Sequence, residues 1–224
     1  RSFSIDKIRT FEIAEPQSST GSELLIQTSG TTGEPKALVH SVENLWKSAV
    51  AWTQLHQIQD TNLRFLNNLP VAYLGGLFNL FLIPIACGGC VVVNPSFTGT
   101  SFLTFWNEIK RFDIGAIWLV PTILKGLLAL HERTNGKHQD AYQLIDLCFI
   151  GTAILSPELK AEGERAFGFP IVENYGISET TFISSELKRD IDKDNTAGKI
   201  RQGVGKILPY CDLIFSPILR DDEA

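Results

Sequence analysis

The stretch Thr28-Ser-Gly-Thr-Thr-Gly-Glu-Pro-Lys36 follows an apolar run, Leu24-Leu-Ile26, and concentrates hydroxyl groups, glycines and one lysine. Glycines allow successive backbone N–H groups to point at one anion, the hydroxyls add neutral donors, and the lysine adds a movable positive charge. A Walker P-loop ends in Gly-Lys followed by Ser or Thr, whereas Glu34 and Pro35 separate Gly33 from Lys36 here. The stretch therefore predicts a phosphate-binding loop of another type, and a polar hairpin turn is the alternative.

The segments on either side of this loop predict a hairpin that leads into a helix. Leu24–Ile26 is the core of one strand, and Lys36 to Ser41 has the composition of a second. From Glu43 to Gln57, apolar residues recur near helical spacing, which indicates an amphipathic helix. The loop is then the connection between the two strands.

Composition is typical of a globular protein with a sizeable core. The chain has 224 residues, of which 44% are apolar and 20% charged, enough for one large or two small domains. Its net charge of −5 provides no basic surface for nucleic acid or anionic membranes, so neither is a favoured partner.

No charged residue occurs from Phe65 to Asn107, and Leu74 to Val93 is long enough to span a bilayer. A membrane span is nevertheless rejected, because glycines, Asn79 and Pro84 interrupt the run. We expect a buried helix of about ten residues followed by a strand, Cys90 to Asn94.

Strands and helices alternate in the second half of the chain. This alternation predicts an α/β fold with a parallel sheet and helices on both faces. Residues 188–196 are polar and highly charged and predict a solvated loop. The predicted helices cover 102–112, 122–131 and 157–167, and the predicted strands cover 116–120, 144–150 and 170–174.

A second polar motif, Asn174-Tyr-Gly-Ile-Ser-Glu-Thr-Thr181, follows the last of these strands. Tyr175 offers a ring on which a purine can stack, Ser178 can donate to a phosphate, and Glu179 is a hard oxygen ligand suited to Mg²⁺. A turn beside a core tyrosine is the alternative. In open α/β sheets, ligands lie beyond the carboxyl ends of the strands, where both this motif and Gly151–Ala153 fall.

Together the two motifs resemble those of the adenylate-forming superfamily, which includes acyl- and aryl-CoA synthetases. Ser29 to Lys36 has every fixed position of that family's Ser-Gly-Thr-Thr-Gly-x-Pro-Lys signature, and Tyr175 to Glu179 has its Tyr-Gly-x-Ser/Thr-Glu motif, in the family's order. Gly151-Thr-Ala153 is similar to its Gly-Gly-Ala-Pro segment, with Thr152 and Ile154 departing from the common form. Val204 to Pro209 is similar to Val-Gly-x-Pro-x-Pro, with Ile207 in place of a proline.

The resemblance implies roles for individual residues. Lys36 and Glu179 are the implied catalytic residues, and Glu179 is also the implied metal ligand. Tyr73 falls on the position where the family has an aromatic residue or histidine at the entrance of the acyl pocket. A buried core tyrosine is the alternative. The residues implied to bind the nucleotide are Thr28, Ser29, Gly30, Thr31, Thr32, Gly33, Lys36, Gly151, Thr152, Ala153, Asn174, Tyr175, Gly176 and Ser178. Those implied to line the substrate pocket are Tyr73, Gly75, Gly151 and Gly176.

The implied reaction is ATP-dependent activation of a carboxylic acid to an acyl-adenylate, with Mg²⁺ as cofactor and CoA or a carrier thiol as the acceptor. Amino-acid-activating members place an aspartate in the acyl pocket, but no acidic residue occurs from Phe65 to Asn107, so an α-amino acid is disfavoured. A nucleotide-binding or regulatory module without catalysis, and a purely structural domain, are the alternatives.

The resemblance implies that this chain corresponds to part of the family's large N-terminal domain. Residues 1–22 are expected to be an incomplete leading segment of a longer chain, 23–187 the α/β core, and 188–224 a loop and the start of a β-rich subdomain. The family's C-terminal lid and its catalytic lysine have no counterpart, so we expect this chain alone to be inactive or nearly so.

The remaining reactive residues predict no further chemistry. Cys87 and Cys90 are expected to be structural residues at a helix-to-strand turn, and reduced cysteines favour the cytoplasm. The chain has no Gly-x-Ser-x-Gly elbow, and its histidines, at 40, 56, 131 and 138, have no evident partner in the sequence. Acyl-serine hydrolysis is therefore not supported.

Overall fold

A computed structural model describes residues 23–28 and 36–212 of the chain. The strands are β1 (Glu23–Thr28), β2 (Lys36–Ser41), β3 (Arg64–Asn67), β4 (Cys90–Val93), β5 (Ala116–Leu119), β6 (Leu147–Ile150), β7 (Ile171–Ile177), β8 (Thr181–Ser185) and β9 (Lys206–Ile207). The helices are α1 (Val42–His56), a π-helix (Gly75–Leu82), α2 (Ile83–Ala86), α3 (Ser101–Phe112), α4 (Pro121–Arg133), α5 (Gln139–Tyr142), α6 (Pro157–Phe167) and α7 (Lys188–Asp194).

Seven of the strands form one sheet in the order β4-β3-β5-β6-β7-β8-β9. The pairs from β4 to β7 are parallel, and β8 and β9 add an antiparallel end. The strands β1 and β2 form a separate antiparallel hairpin, as predicted. The predicted parallel α/β sheet with further β-structure towards the C-terminus is confirmed.

Strand β7 changes partner halfway along its length. Its first part, Ile171 to Glu173, pairs with β6, whereas Asn174 to Ile177 pairs with β8 on the other side. The backbone beyond Glu173 is therefore paired along one edge only. This change of partner occurs where the second polar motif begins.

Helices cover both faces of the sheet. Along the chain, the connection from β3 to β4 moves towards one edge of the sheet. The later connections, β4 to β5, β5 to β6 and β6 to β7, all move towards the other edge. Since parallel crossovers are right-handed, the π-helix and α2 lie on one face, and α3, α4 and α6 lie on the other. Helix α1 packs against α2 and the π-helix on the first face.

The core beneath α1 is aromatic. Trp52 of α1 is fully buried and has ring centroids of Phe149 at 4.8 Å and Phe182 at 5.6 Å. Trp118 stacks on Phe182 at 5.4 Å, so side chains of β5, β6 and β8 meet under one helix. The same packing holds β8 against the parallel part of the sheet.

The uncharged run folds largely as expected. It forms the π-helix, α2 and the edge strand β4. Pro84 lies in the first turn of α2, which directly continues the π-helix. Asn67, at the end of β3, donates through Nδ2 to the carbonyl of Gly76 at 3.1 Å and so fixes the start of the π-helix. In the described part of the chain, no helix is long and apolar enough to cross a membrane.

The prediction that 188–196 is a solvated loop is wrong. Residues 188–194 form α7, in which Ile191 is buried and Lys188 pairs with Asp192 at 2.7 Å, one turn away. A single apolar anchor among charges gives too little periodicity to identify a helix from sequence. The short strands β3 and β8 were also not identified.

Candidate functional site

Two of the predicted motifs lie side by side at the carboxyl edge of the sheet. Gly151 directly follows β6, and Ile150 pairs with Glu173 of β7. A Cβ atom on Gly151 would lie 2.7 Å from the carbonyl oxygen of Asn174, which is closer than side chains come to backbone. Glycine at this position therefore allows the two segments to approach each other.

A cavity of about 420 Å³ lies between these segments. One side is formed by Thr152 and Ala153, and the β7 side by Tyr175 and Gly176, all of them predicted nucleotide-binding residues. Gly203 and Val204 line it as well, and Val204 begins the stretch similar to Val-Gly-x-Pro-x-Pro. The structure thus brings three sequence motifs to a single cavity.

Tyr175 is placed as a stacking residue would need to be. Its side chain lines the cavity and is 47% exposed, so a face of the ring is accessible to a planar ligand. It is not the buried core tyrosine considered as the alternative.

The side-chain amide of Asn174 faces inward, although the residue lines the cavity. Its Oδ1 accepts hydrogen bonds from Trp52 Nε1 at 3.2 Å and Ser185 Oγ at 2.8 Å, and its Nδ2 donates to the carbonyl of Val172 at 3.1 Å. These contacts fix the orientation of the amide. Its predicted contact with a purine would therefore come chiefly from the backbone.

His56 extends this network beneath the cavity. Its Nε2 lies 3.1 Å from Ser185 Oγ, and its ring packs on Trp52 with centroids 4.0 Å apart. Burial, and secondarily the charge of Arg189, lowers the pKa of His56 to about 3. The folded protein thus holds this histidine neutral over the physiological pH range.

We expect this buried histidine to make stability depend on pH. The unfolded chain binds a proton at residue 56 below about pH 6.5, whereas the folded chain does so only near pH 3, so stability falls as the pH falls through this window. Between pH 6.5 and 4.5 the loss is roughly 2–3 kcal/mol from this group. Urea unfolding of wild type and His56→Gln at both pH values measures it, since the variant removes the titrating group.

The partly exposed His138 is the control for that measurement. A His138→Gln variant should keep most of the wild-type pH dependence. Equal pH dependence in wild type and His56→Gln would contradict the prediction.

Thr152 has a backbone conformation that favours glycine. Its φ is 75°, in the left-handed region that β-branched residues rarely adopt. The Gly-Gly-Ala-Pro segment that Gly151–Ala153 resembles has a glycine at this position, where this chain has Thr152. Strain of this kind concentrates at functional sites and indicates that the surrounding packing fixes this loop.

An ion-pair network supports the wall of the cavity. Arg201 lines the cavity and makes a bidentate pair with the buried Glu164, with distances of 2.6 and 2.8 Å, and a further contact with Glu186 at 3.1 Å. Burial opposes the charge on Arg201, but the two carboxylates outweigh it and raise the pKa of the guanidinium. Lys160, 1% exposed, binds Glu173 at 2.9 Å and Glu186 at 2.6 Å.

This network was not identified from sequence. Its members come from α6, β7, the residue after β8, and the segment before β9. Only Glu173 adjoins a recognised motif. The available signal was in helix α6, where the charged residues Lys160 and Glu164 lie on the same buried face as Phe167.

Gly176 lies where the backbones of β7 and β8 leave no room for a side chain. A Cβ atom there would lie 1.8 Å from the carbonyl oxygen of Thr181, so no other residue fits without movement of the backbone. The pairing register shifts between Tyr175 and Gly176, which is a β-bulge. Gly176 thereby sets the position of the turn that carries Ser178 and Glu179.

Glu179 is exposed in the middle of that turn and lines a second cavity, of about 620 Å³, together with His40, Lys47 and Ser48. His40 belongs to β2, the strand that begins at Lys36, and its Nε2 lies 2.7 Å from the carbonyl oxygen of Ser178. The structure therefore brings the hairpin of the first motif against the second motif.

The phosphate-loop residues themselves are only partly described. Thr28 and Lys36 pair as the last and first residues of β1 and β2, so the ends of the loop are held together. Its predicted binding residues Ser29, Gly30, Thr31, Thr32 and Gly33 lie outside the described residues.

Tyr73 and Gly75 lie at the start of the π-helix and not in the wall of the 420 Å³ cavity. A Cβ atom on Gly75 would lie 2.5 Å from the Tyr73 ring, so the ring packs directly over this glycine. Tyr73 is 44% exposed and is therefore not a buried core residue. Their role in an acyl pocket stays a prediction.

One carboxylate, such as that of Glu179, is enough to bind Mg²⁺ together with a nucleotide. Mg²⁺ in nucleotide-binding proteins is held by one or two carboxylates together with substrate phosphates and water. Glu179 is exposed and near the hairpin of the predicted phosphate loop, which fits this pattern. The described residues contain no cluster of three or more acidic, histidine or cysteine side chains that could bind a metal without a substrate.

Comparison with known proteins agrees with these observations. The sequence matches the profile of the family described as AMP-binding enzyme over residues 10–214. It is 33% identical over 159 residues to the sulfoacetate–CoA ligase of Cupriavidus necator, covering 70% of this chain and 29% of that protein. It is 32% identical over 200 residues to the indoleacetate–CoA ligase of Aromatoleum aromaticum, covering 89% of this chain and 36% of that protein.

The fold also matches a solved structure. The o-succinylbenzoate coenzyme A synthetase of Bacillus subtilis, in complex with ATP and magnesium ion, superposes with a TM-score of 0.65 at 29% identity, covering 88% of this chain and 37% of that chain. The chain thus spans about a third of the length of these relatives.

Proposed function

Because the chain belongs to the AMP-binding enzyme family, we propose that it serves in the ATP-dependent activation of a carboxylic acid, with transfer of the acyl group to the thiol of CoA. The family relatives named above are acid–CoA ligases. The observation that most supports the proposal is the 420 Å³ cavity, because it joins Thr152, Ala153, Tyr175 and Gly176, which two separate motifs had marked as nucleotide-binding.

The proposed reaction has two steps. The substrate carboxylate, ionised at pH 7, attacks the α-phosphorus of ATP, and the bond to the β-phosphate oxygen breaks to release pyrophosphate. The thiol of CoA then loses its proton to water and attacks the acyl carbon, and the bond from that carbon to the phosphate oxygen breaks to release AMP. No base is needed in the first step, so the protein must chiefly offset negative charge.

The residues of this chain have defined tasks in that scheme. The Tyr175 ring stacks on the adenine, and the Gly151–Ala153 backbone lies against its edge. Lys36 and the N–H groups of the loop from Thr28 to Gly33 hold the pyrophosphate portion, and Ser178 contacts a phosphate. Glu179 would hold Mg²⁺, which supplies further neutralisation when bound.

The acid is proposed to lack an α-ammonium group. From Phe65 to Asn107, where Tyr73 and Gly75 lie, the sequence has no acidic residue to pair with an α-ammonium group. The four cysteines are unpaired, which supports a reducing, cytoplasmic location.

Carboxylate-dependent exchange between ATP and pyrophosphate, measured on the full-length protein, tests the proposal. We expect exchange with at least one member of a panel of aryl, fatty and short-chain acids. ATP binding without exchange for any acid would favour a regulatory nucleotide-binding module, and the absence of both would contradict the proposal.

Two substitutions test the assigned roles. Lys36→Ala should weaken nucleotide affinity roughly tenfold, because a charge-assisted contact with phosphate is lost. Glu179→Gln should raise the Mg²⁺ concentration needed for half-maximal exchange. Unchanged values for both would refute these assignments.

A further inference from the structure

The turn Ser178–Thr181 carries the proposed phosphate and metal contacts in a conformation that the chain does not favour. Thr181 has φ of 62°, in the left-handed region, although it is β-branched. A backbone of this kind persists only when neighbouring groups fix it. Contacts from outside the turn must therefore offset the cost.

His40 supplies one such contact. Its Nε2 lies 2.7 Å from the carbonyl oxygen of Ser178, a residue 138 positions away in the chain. Because a carbonyl oxygen can only accept, Nε2 must carry the hydrogen and donate it. The bond joins β2, which begins at Lys36, to the residue that precedes Glu179.

Ser48 of α1 supplies a second contact. Its Oγ lies 2.8 Å from Oγ1 of Thr181, at the other end of the turn. His40 and Ser48 line the same 620 Å³ cavity as Glu179. The turn is thus attached at both ends to strand β2 and helix α1, which follow the Gly-Thr-rich loop.

We propose that His40 is a positioning residue, which holds the Ser178–Glu179 segment at a fixed distance from the Lys36 end of the phosphate loop. This inference rests on the proposed function, since it presupposes that the two segments bind one nucleotide. His40 does not itself contact phosphate. Its effect is to place the Glu179 carboxylate, which would hold Mg²⁺ when the ion is bound.

The test compares His40→Leu, which removes the donor at similar volume, with His40→Gln, whose amide can still donate. We expect His40→Leu to weaken Mg·ATP binding about fivefold and to raise the Mg²⁺ requirement, as the loss of one hydrogen bond predicts. His40→Gln should stay within about twofold of wild type. Calorimetric titration of ATP at several Mg²⁺ concentrations, with the full-length protein, gives both values.

The controls separate positioning from general stability. His138→Leu removes a histidine from a surface turn and should leave both values unchanged. If His40→Leu does not fold, His40→Asn, which is too short to reach the carbonyl, should show the same loss of affinity. A lower melting temperature with unchanged affinity and Mg²⁺ requirement would overturn the inference.

The outcome also distinguishes this inference from the proposed function. Wild-type protein that neither binds ATP nor catalyses exchange would contradict the function itself. Wild-type protein that does both, with an equally active His40→Leu variant, would contradict only the role of His40.

Discussion

Replacing Gly176 with alanine is expected to reduce the rate of ATP–pyrophosphate exchange by about a hundredfold. The new Cβ atom would lie 1.8 Å from the carbonyl oxygen of Thr181, a backbone atom that cannot rotate away. The strands β7 and β8 must therefore separate by about 1 Å or more, which moves both Tyr175 and the Ser178–Glu179 turn. Misplacement of reacting groups by about 1 Å lowers the reaction rate in a preorganised site by about two orders of magnitude.

The matched control is Gly99→Ala. A Cβ atom at Gly99 meets nothing within 4 Å, and its φ does not lie in the left-handed region, so the exchange rate and stability should not change. The rate of ATP–pyrophosphate exchange is measured for wild type and both variants of the full-length protein, and the far-ultraviolet circular dichroism spectrum verifies that each is folded. A wild-type exchange rate in Gly176→Ala would show that the turn does not position the reacting groups.

Replacing Lys160 with methionine is expected to lower the free energy of unfolding by roughly 3–5 kcal/mol. Methionine conserves the volume, but Glu173 and Glu186 lose a partner at 2.9 and 2.6 Å in a site where the lysine is 1% exposed. Two carboxylates then lie close together in a poorly solvated environment. Because Glu173 also lines the cavity, nucleotide affinity should fall as well.

Lys206→Met is the matched control for that substitution. Lys206 pairs with Asp190 at a similar distance, 3.1 Å, but its side chain is 79% exposed. Exposed pairs contribute less than about 1 kcal/mol, so urea unfolding should detect little change. Similar losses in the two variants would refute the assignment of a structural role to the buried network.

The fold could be predicted from sequence wherever the pattern was long or explicitly capped. The helix predicted over 157–167 is observed as α6, which begins at Pro157, with Ser156 Oγ accepting from the Leu159 N–H at 3.1 Å. The α/β class and the family are confirmed. Short elements such as the strand Arg64–Asn67 were missed, because four residues are too few for an alternating pattern to be recognised.

The site was predictable as motifs, but the contacts between motifs were not. The interpretation that the histidines lack partners is wrong for His40 and His56, whose partners Ser178 and Ser185 lie 138 and 129 residues away. His131 likewise bonds Tyr142 Oη at 3.1 Å. A hydrogen bond between residues so distant in sequence depends on the tertiary fold, and one sequence contains no signal for it.

The change of partner along β7 has a consequence for how a ligand is recognised. Beyond Glu173 the strand has β8 along one edge, while its other edge has lost β6, and this is the region that lines the 420 Å³ cavity. If the pairing with β6 continued, it would use the main-chain donors and acceptors on this edge of β7. Without it, they can bind a ligand in the cavity. A flat heteroaromatic base, with alternating donors and acceptors on its rim, can complete that interrupted ladder in place of a polypeptide.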